Sequence, residues 1–203
     1  NGHAEVVEAI LQAKADPNAS LHDGRNPLML SCVPVESAAT ASRTRVVRLL
    51  LDAKAHVGSR AVGMHHDKNL KQQELKGKTP LMECAGNGLV ALVGVLLEPW
   101  EREAGLRPSE KLSSVLDQRD SNGWTALHWA SDAGFAEVVR VLLRFGAHPQ
   151  IPTERMGSTP LILAARMGHT RVMQEFARRR VGLDRGTLLT YRRPDGTSAV
   201  LSA

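Results

Sequence analysis

Residues 123–130 read GWTALHWA, and weaker copies of the same motif lie on both sides. GRNPLMLSC runs from Gly24 to Cys32, GKTPLMECA from Gly77 to Ala85, GSTPLILAA from Gly157 to Ala165, and GTSAVLSA from Gly196 to Ala203. Each opens with a glycine and a variable residue, followed by Asn26, Thr79, Thr125, Thr159 or Ser198, all helix N-cap types. In three copies Pro27, Pro80 or Pro160 comes next, at the first helical position, where the missing amide would have no intrahelical acceptor. The stretch therefore spells a helix start. Such a cap is worth about 1 kcal/mol per helix, so its repetition is a folding device and carries no catalytic meaning.

A second block follows each first helix after a short gap: GHAEVVEAILQAKA from Gly2, RVVRLLLDAKA from Arg45, GLVALVGVLL from Gly88, GFAEVVRVLLRFGA from Gly134 and GHTRVMQEFARR from Gly168. Its apolar pairs recur four apart, as in Val138 and Val139 with Leu142 and Leu143, which puts a broad apolar stripe on one helical face. Gly88, Gly134 and Gly168 sit between the two helices, where positive φ lets the chain reverse. Each unit reads as a helical hairpin. ADPN (Ala15 to Asn18), AHVG (Ala55 to Gly58) and AHPQ (Ala147 to Gln150) then lead through a polar arm to the next glycine. Gly123 and Gly157 are 34 residues apart, close to the ~33-residue period of one class of tandem repeat.

On these residues the chain resembles the ankyrin-repeat family. The family pattern is a glycine, any residue, TPLH and AA, then GH, EVV, LLL, GAD and N. It is clearest over Asn122–Gln150 and recognisable along nearly the whole chain. The resemblance implies an all-α solenoid of helix-turn-helix units joined by β-hairpin-like arms. The expected layout is a single ankyrin-repeat domain over 1–203, a segment of a longer array. It comprises a half repeat (1–23), repeats at 24–76, 77–122, 123–156 and 157–195, and a partial repeat at 196–203. The half repeat would leave Val6, Val7, Ile10 and Leu11 with an uncovered face.

Departures from the pattern are informative. The TPLH histidine survives as His128, replaced by Met29, Met82, Ile162 and Leu201 elsewhere, so apolar packing takes the place of a polar link between units. Lys14, Lys54 and Arg180 stand where Gly146 ends a second helix, a position that favours glycine and so predicts slight strain. Spacings of 53 residues from Gly24 to Gly77 and 46 from Gly77 to Gly123 exceed the period and mark insertions. One lies at Val33–Thr44 between the helices of a repeat. Two more, Gly58–Lys76 and Glu98–Leu116, extend neighbouring arms.

With 42% hydrophobic residues over 203 positions, the chain can bury a substantial core. Its longest apolar run, Leu89–Leu97, is about half of what a bilayer crossing requires, which predicts no transmembrane segment. Two cysteines, Cys32 and Cys84, are too few for a disulfide-stapled fold and suit a reducing, intracellular and cytoplasmic setting. Buried thiols are expected. Helices of adjacent units pack about 8–10 Å apart, beyond the ~7 Å between Cα atoms that a bridge tolerates. Eight arginines against three acids over residues 166–203 account for the whole net charge of +5.

Nothing in the array suggests chemistry. No Ser-His-Asp arrangement, phosphate-cradling loop or paired carboxylates can be placed on it, and no cofactor is expected. His65, His66 and Asp67 are adjacent on a loop without a further ligand at metal spacing. His128 is assigned a structural hydrogen bond. The candidate partner-binding residues are Trp100 and Arg102 on one long arm, His65, His66, Lys68 and Lys71 on the other, and Arg185, Arg192 and Arg193 in the last arm. Trp100 has two readings, an interface anchor or an indole folded back over the helix that ends at Leu97. Arg178, Arg179 and Arg180 suit a helix C-terminus. The later arginines could meet an acidic protein, a membrane or nucleic acid, although Tyr191 alone offers a stacking surface, which makes nucleic acid the weaker reading. Asn18, with Asp16 and Ile10, matches the arm-tip asparagine that intracellular hydroxylases modify in some ankyrin proteins.

The expected function is a non-catalytic scaffold or adaptor that binds a protein partner through its concave face and long arms. The alternative is a targeting or regulatory segment of an enzyme whose catalytic domain lies outside these residues.

Overall fold

The computed structural model describes residues 3–33, 40–61 and 77–179. The described residues form ten α-helices: α1 (Ala4–Gln12), α2 (Pro27–Ser31), α3 (Thr40–Asp52), α4 (Pro80–Gly86), α5 (Val90–Leu97), α6 (Glu110–Leu116), α7 (Ala126–Asp132), α8 (Ala136–Arg144), α9 (Pro160–Arg166) and α10 (Thr170–Arg178). A 3-10 turn, Glu98–Glu103, follows α5. The hairpins are α2 with α3, α4 with α5, α7 with α8, and α9 with α10. First helices stack in the order α2, α4, α7, α9, and second helices in the order α1, α3, α5, α8, α10.

The repeated motif makes these elements for the reason its spelling suggests. Asn26, Thr79 and Thr159 adopt extended backbone and their side chains accept from the amides of Met29, Met82 and Ile162 at 2.9, 3.2 and 3.4 Å. The leucine two residues after each cap, Leu28, Leu81, Leu127 or Leu161, is buried in the seam between the helix layers. Full burial of such a side chain contributes roughly 1.5–3 kcal/mol. The stripes of the second helices, Val46, Val47 and Leu50 in α3, Leu92, Val93 and Leu96 in α5, and Val138, Val139 and Leu142 in α8, close the same core. Second helices lock to each other at the reversals. A Cβ on Gly88, at φ +68°, would meet the Phe135 ring at 2.5 Å, so this glycine is required by both conformation and space.

Each arm returns through a hydrogen-bonded turn rather than a strand; no strand forms among the described residues. Leu21 N–H donates to Arg25 O, Ala61 N–H to Lys78 O, Asp120 N–H to Trp124 O, and Thr153 N–H to Ser158 O, at 2.9–3.0 Å. Two insertions differ from the expectation. The segment Glu98–Leu116 is not a protruding arm but the 3-10 turn and α6. Ser109 caps α6 through Leu112 N–H at 3.3 Å, and Leu112 and Leu116, one turn apart, are buried in the core. Gly105 N–H reaches Arg144 O at 2.7 Å, pinning the connection to the end of α8. The insertion at Val33–Thr44 contributes the start of α3 at Thr40, with residues 34–39 outside the described ones. Lys14 and Lys54 adopt φ of 63° and 69°, the left-handed conformation expected at those helix ends; it costs a side-chain-bearing residue roughly 1–2 kcal/mol. Arg180 lies outside the described residues.

Candidate functional site

The arms are tied to each other as well as to their own helices. His56 N–H donates to Asn18 Oδ1 at 2.8 Å, and Asn18 Nδ2 to Lys54 O at 3.4 Å. The same geometry recurs two units later, where His148 N–H donates to Asp117 Oδ1 at 2.8 Å. Gln118 Nε2 reaches Gly58 O at 3.1 Å, and Arg119 Nη2 reaches Pro152 O at 2.7 Å. Successive arms thus form one braced row beside the first helices. Burial raises the Asp117 carboxyl above its usual range, against the opposing pull of the His148 amide and ring.

Asp120 organises the arm that ends in GWTALHWA. Its Oδ1 accepts from the amides of Asn122 and Trp124 at 2.8 and 2.9 Å, and its Oδ2 from Trp129 Nε1 at 3.0 Å. Lys78 Nζ sits 3.6 Å from the centroid of the Trp129 ring, and Trp124 packs against Trp129 with ring centroids 4.8 Å apart. Of the two indoles, that of Trp129 is held on three sides. Beneath them, Thr125 N–H donates to His128 Nδ1 at 3.1 Å, so the proton sits on Nε2, which faces Ser158 O of the next arm at 3.2 Å. Burial lowers the His128 imidazole to about 4, so it is neutral at physiological pH and acts as a polar bolt between units, as its structural assignment required.

On the far side of the indoles lies a cavity of about 240 Å³, lined by Trp124, Trp129, Met156 and Leu163 with Arg155 and Arg166 among its walls. Met156 is 44% exposed. A larger apolar groove, about 380 Å³, runs beside α1 and is floored by Val7, Leu11, Val46 and Leu50. Val6 and Ile10 are 60% and 49% exposed there, which is the uncovered face anticipated for the half repeat.

The residues singled out from sequence fall unevenly. Trp100 is half-buried and packs against the core, the folded-back placement. Arg102 is exposed on the 3-10 turn, whose Glu98 pairs with Arg48 of α3 and whose Glu101 pairs with Arg144 of α8. His65, His66, Lys68, Lys71, Arg185, Arg192 and Arg193 lie outside the described residues. Among the described residues no group of three or more His, Cys, Asp or Glu side chains could hold a metal ion, and no helix is long and apolar enough to cross a membrane. Cys32 and Cys84 are buried free thiols. Burial pushes the Cys84 thiol well up, and the neighbouring Cys32 thiol of the preceding unit reinforces the shift. Sequence reasoning missed the indole pair. Trp124 and Trp129 stood in the deciding motif, five residues apart across a helix start, a spacing that brings an arm residue over the first helical turn.

The model of ankyrin repeats matches three overlapping stretches, residues 1–108, 38–153 and 105–187, and so covers most of the chain. The chain belongs to the ankyrin-repeat family. Among similar proteins, NF-kappa-B inhibitor alpha of Sus scrofa is 30% identical over 144 residues, 71% of this chain and 38% of that protein. Calmodulin-binding transcription activator CBT of Oryza sativa subsp. japonica is 38% identical over 89 residues, 41% of this chain and 9% of that protein. Ankyrin repeat domain-containing protein 63 of Mus musculus is 32% identical over 110 residues, 53% of this chain and 26% of that protein. The match thus spans at most 38% of the length of these three relatives. What the ankyrin chain has in common with all of them is the repeat, a general protein-interaction module of a generally non-catalytic family.

Proposed function

We propose that this ankyrin array is a non-catalytic scaffold or adaptor that binds a protein partner on the face made by its arms and first helices, and that it works in the cytoplasm. The observation that carries the reading is the braced row of arms from Asn18 through His56 and from Asp117 through His148. A surface already rigid before binding loses little conformational entropy on association. The segment 62–76, with His65, His66, Lys68 and Lys71, adds contacts. Arg102 with the part of Trp100 left exposed, and Arg185, Arg192 and Arg193 in the last arm, supply others. Similarity to an inhibitor of NF-kappa-B supports binding of a protein in general and leaves the partner open.

The test is recovery of the tagged chain from its native cell extract after nuclease treatment. Residues 62–76 can be replaced by a short Gly-Ser turn without disturbing the fold, because Gly77 N–H already donates to Ala61 O at 2.8 Å across the base of that segment. A defined set of proteins that survives nuclease and is depleted by that replacement supports the reading. Material that disappears with nuclease and ignores the replacement argues for nucleic acid at the arginine-rich end and against it.

A second reading has its own observation. The apolar groove beside α1, with Val6 and Ile10 exposed along it, offers a second docking face, which suits a targeting or regulatory segment of a larger enzyme whose catalytic domain lies outside these residues.

A further inference from the structure

We infer that the cavity between Trp124, Trp129, Met156 and Leu163 is the primary anchor point of the partner, and that it takes one bulky apolar side chain flanked by carboxylates. The inference rests on the protein-binding reading of the arm and first-helix face and names the chemistry recognised there. At about 240 Å³ the cavity is smaller than the roughly 300–1,000 Å³ typical of small-molecule sites, and it suits a single leucine, phenylalanine or tryptophan side chain. Its aromatic wall is fixed in advance. Trp129 is held by the Asp120 carboxylate, the Lys78 ammonium and the neighbouring indole, so an incoming side chain meets a surface that need not reorganise. Buried aromatic anchors of this kind dominate binding energy at interfaces.

The charge around the cavity selects among apolar partners. No carboxylate lines it, while two guanidinium groups do. Arg155 is exposed and has no ion-pair partner among the described residues, and Arg166 stands 3.7 Å from Asp132 with its side chain 40% exposed. Arg155 is free to pair with an incoming Asp or Glu, and the exposed Arg166 adds a second contact beside its pair with Asp132. Met156, exposed on the arm between them, provides an adaptable lip. The occupant is therefore an acidic segment of a protein partner that inserts one apolar residue.

A random peptide display library panned against the full 203-residue chain tests this, with selected peptides remeasured in solution by calorimetry. The expected result is enrichment of sequences with a bulky apolar residue beside one or more carboxylates. Their affinity should fall about tenfold in Arg155→Glu, a surface change that leaves the fold intact, in Arg166→Gln, which sets no carboxylate beside Asp132, and in Met156→Asp. Binding should also quench or shift the tryptophan emission. Peptides that are basic or uncharged, or that bind these variants as tightly as the parent chain, overturn the inference. So does a failure to enrich any sequence. If the selected peptides instead lose affinity on replacement of 62–76, this pocket is not the anchor while the face reading survives. Self-association of the chain that Arg155→Glu abolishes would place a second copy in the pocket and also overturn it.

Discussion

The units at 24–61 and 123–156 have the same hairpin shape and reach it by different chemistry. In the later unit, Thr125 is braced by the His128 ring, Gly134 turns the chain at φ +80° and Gly146 ends α8 at φ +90°. In the earlier one, Asn26 caps α2 and Lys54 stands in the left-handed conformation where Gly146 has its counterpart. The tight glycine reversal is replaced by Arg43, a buried side chain whose Nη2 donates to Ser31 O at 2.8 Å and Val33 O at 2.7 Å. A guanidinium thus satisfies the helix-end carbonyls that a short turn would otherwise leave to its own backbone. In these two units the same hairpin survives the loss of a local device because the orphaned polar groups are paired from elsewhere.

If that is so, Arg43→Met should break the earlier unit. It leaves two carbonyls without their donor, and a loss of about 3–4 kcal/mol is expected in urea unfolding, with early hydrogen exchange in α2 and α3. The later unit depends instead on a neutral histidine. The folded value of His128, about 4, lies below the ~6.5 of an unfolded chain, so its contribution is complete above pH ~6.5 and is lost as pH falls towards 4. On the order of 3 kcal/mol should disappear across that window. His128→Asn, which keeps an acceptor and cannot titrate, should flatten the pH profile while Arg43→Met leaves its slope unchanged.

Smaller changes sharpen the same contrast. Lys54→Gly should relieve left-handed strain and stabilise by about 1 kcal/mol, whereas Gly146→Lys should destabilise, because a Cβ there also meets Pro108 at 2.9 Å. The smallest effect concerns the arm braces. Asp117 does with a raised carboxyl what Asn18 does with an amide. Asp117→Asn should therefore stabilise by a few tenths of a kcal/mol at neutral pH. The gain should vanish in acid, once Asp117 is itself protonated, as thermal melts at the two pH values would register.

Much of the fold could be read from residues whose meaning is local. A cap before a proline, a glycine between two amphipathic stretches and a leucine two positions after the cap each specify a conformation without reference to the rest of the chain. The segment Glu98–Leu116 was misread as an arm because its helix is short and its apolar pair, Leu112 and Leu116, signals burial only when a neighbouring surface is there to receive it. Arg43 was silent for a related reason. A lone arginine in a helix looks solvated until the carbonyls it serves are known. The tryptophan cavity was the least legible feature, since Lys78, Asp120 with Trp124, and Met156 come from three consecutive arms and gather around Trp129 of α7 only when the units stack.

The central claim is that the arm and first-helix side is the binding face. It is most directly tested by hydrogen–deuterium exchange of the full chain, alone and in complex with the protein recovered from nuclease-treated native extract. Slower exchange confined to residues 122–129 and 153–167 and the adjoining arms is the expected result. Protection restricted to α3, α5 and α8, with the arms and first helices unchanged, would contradict it.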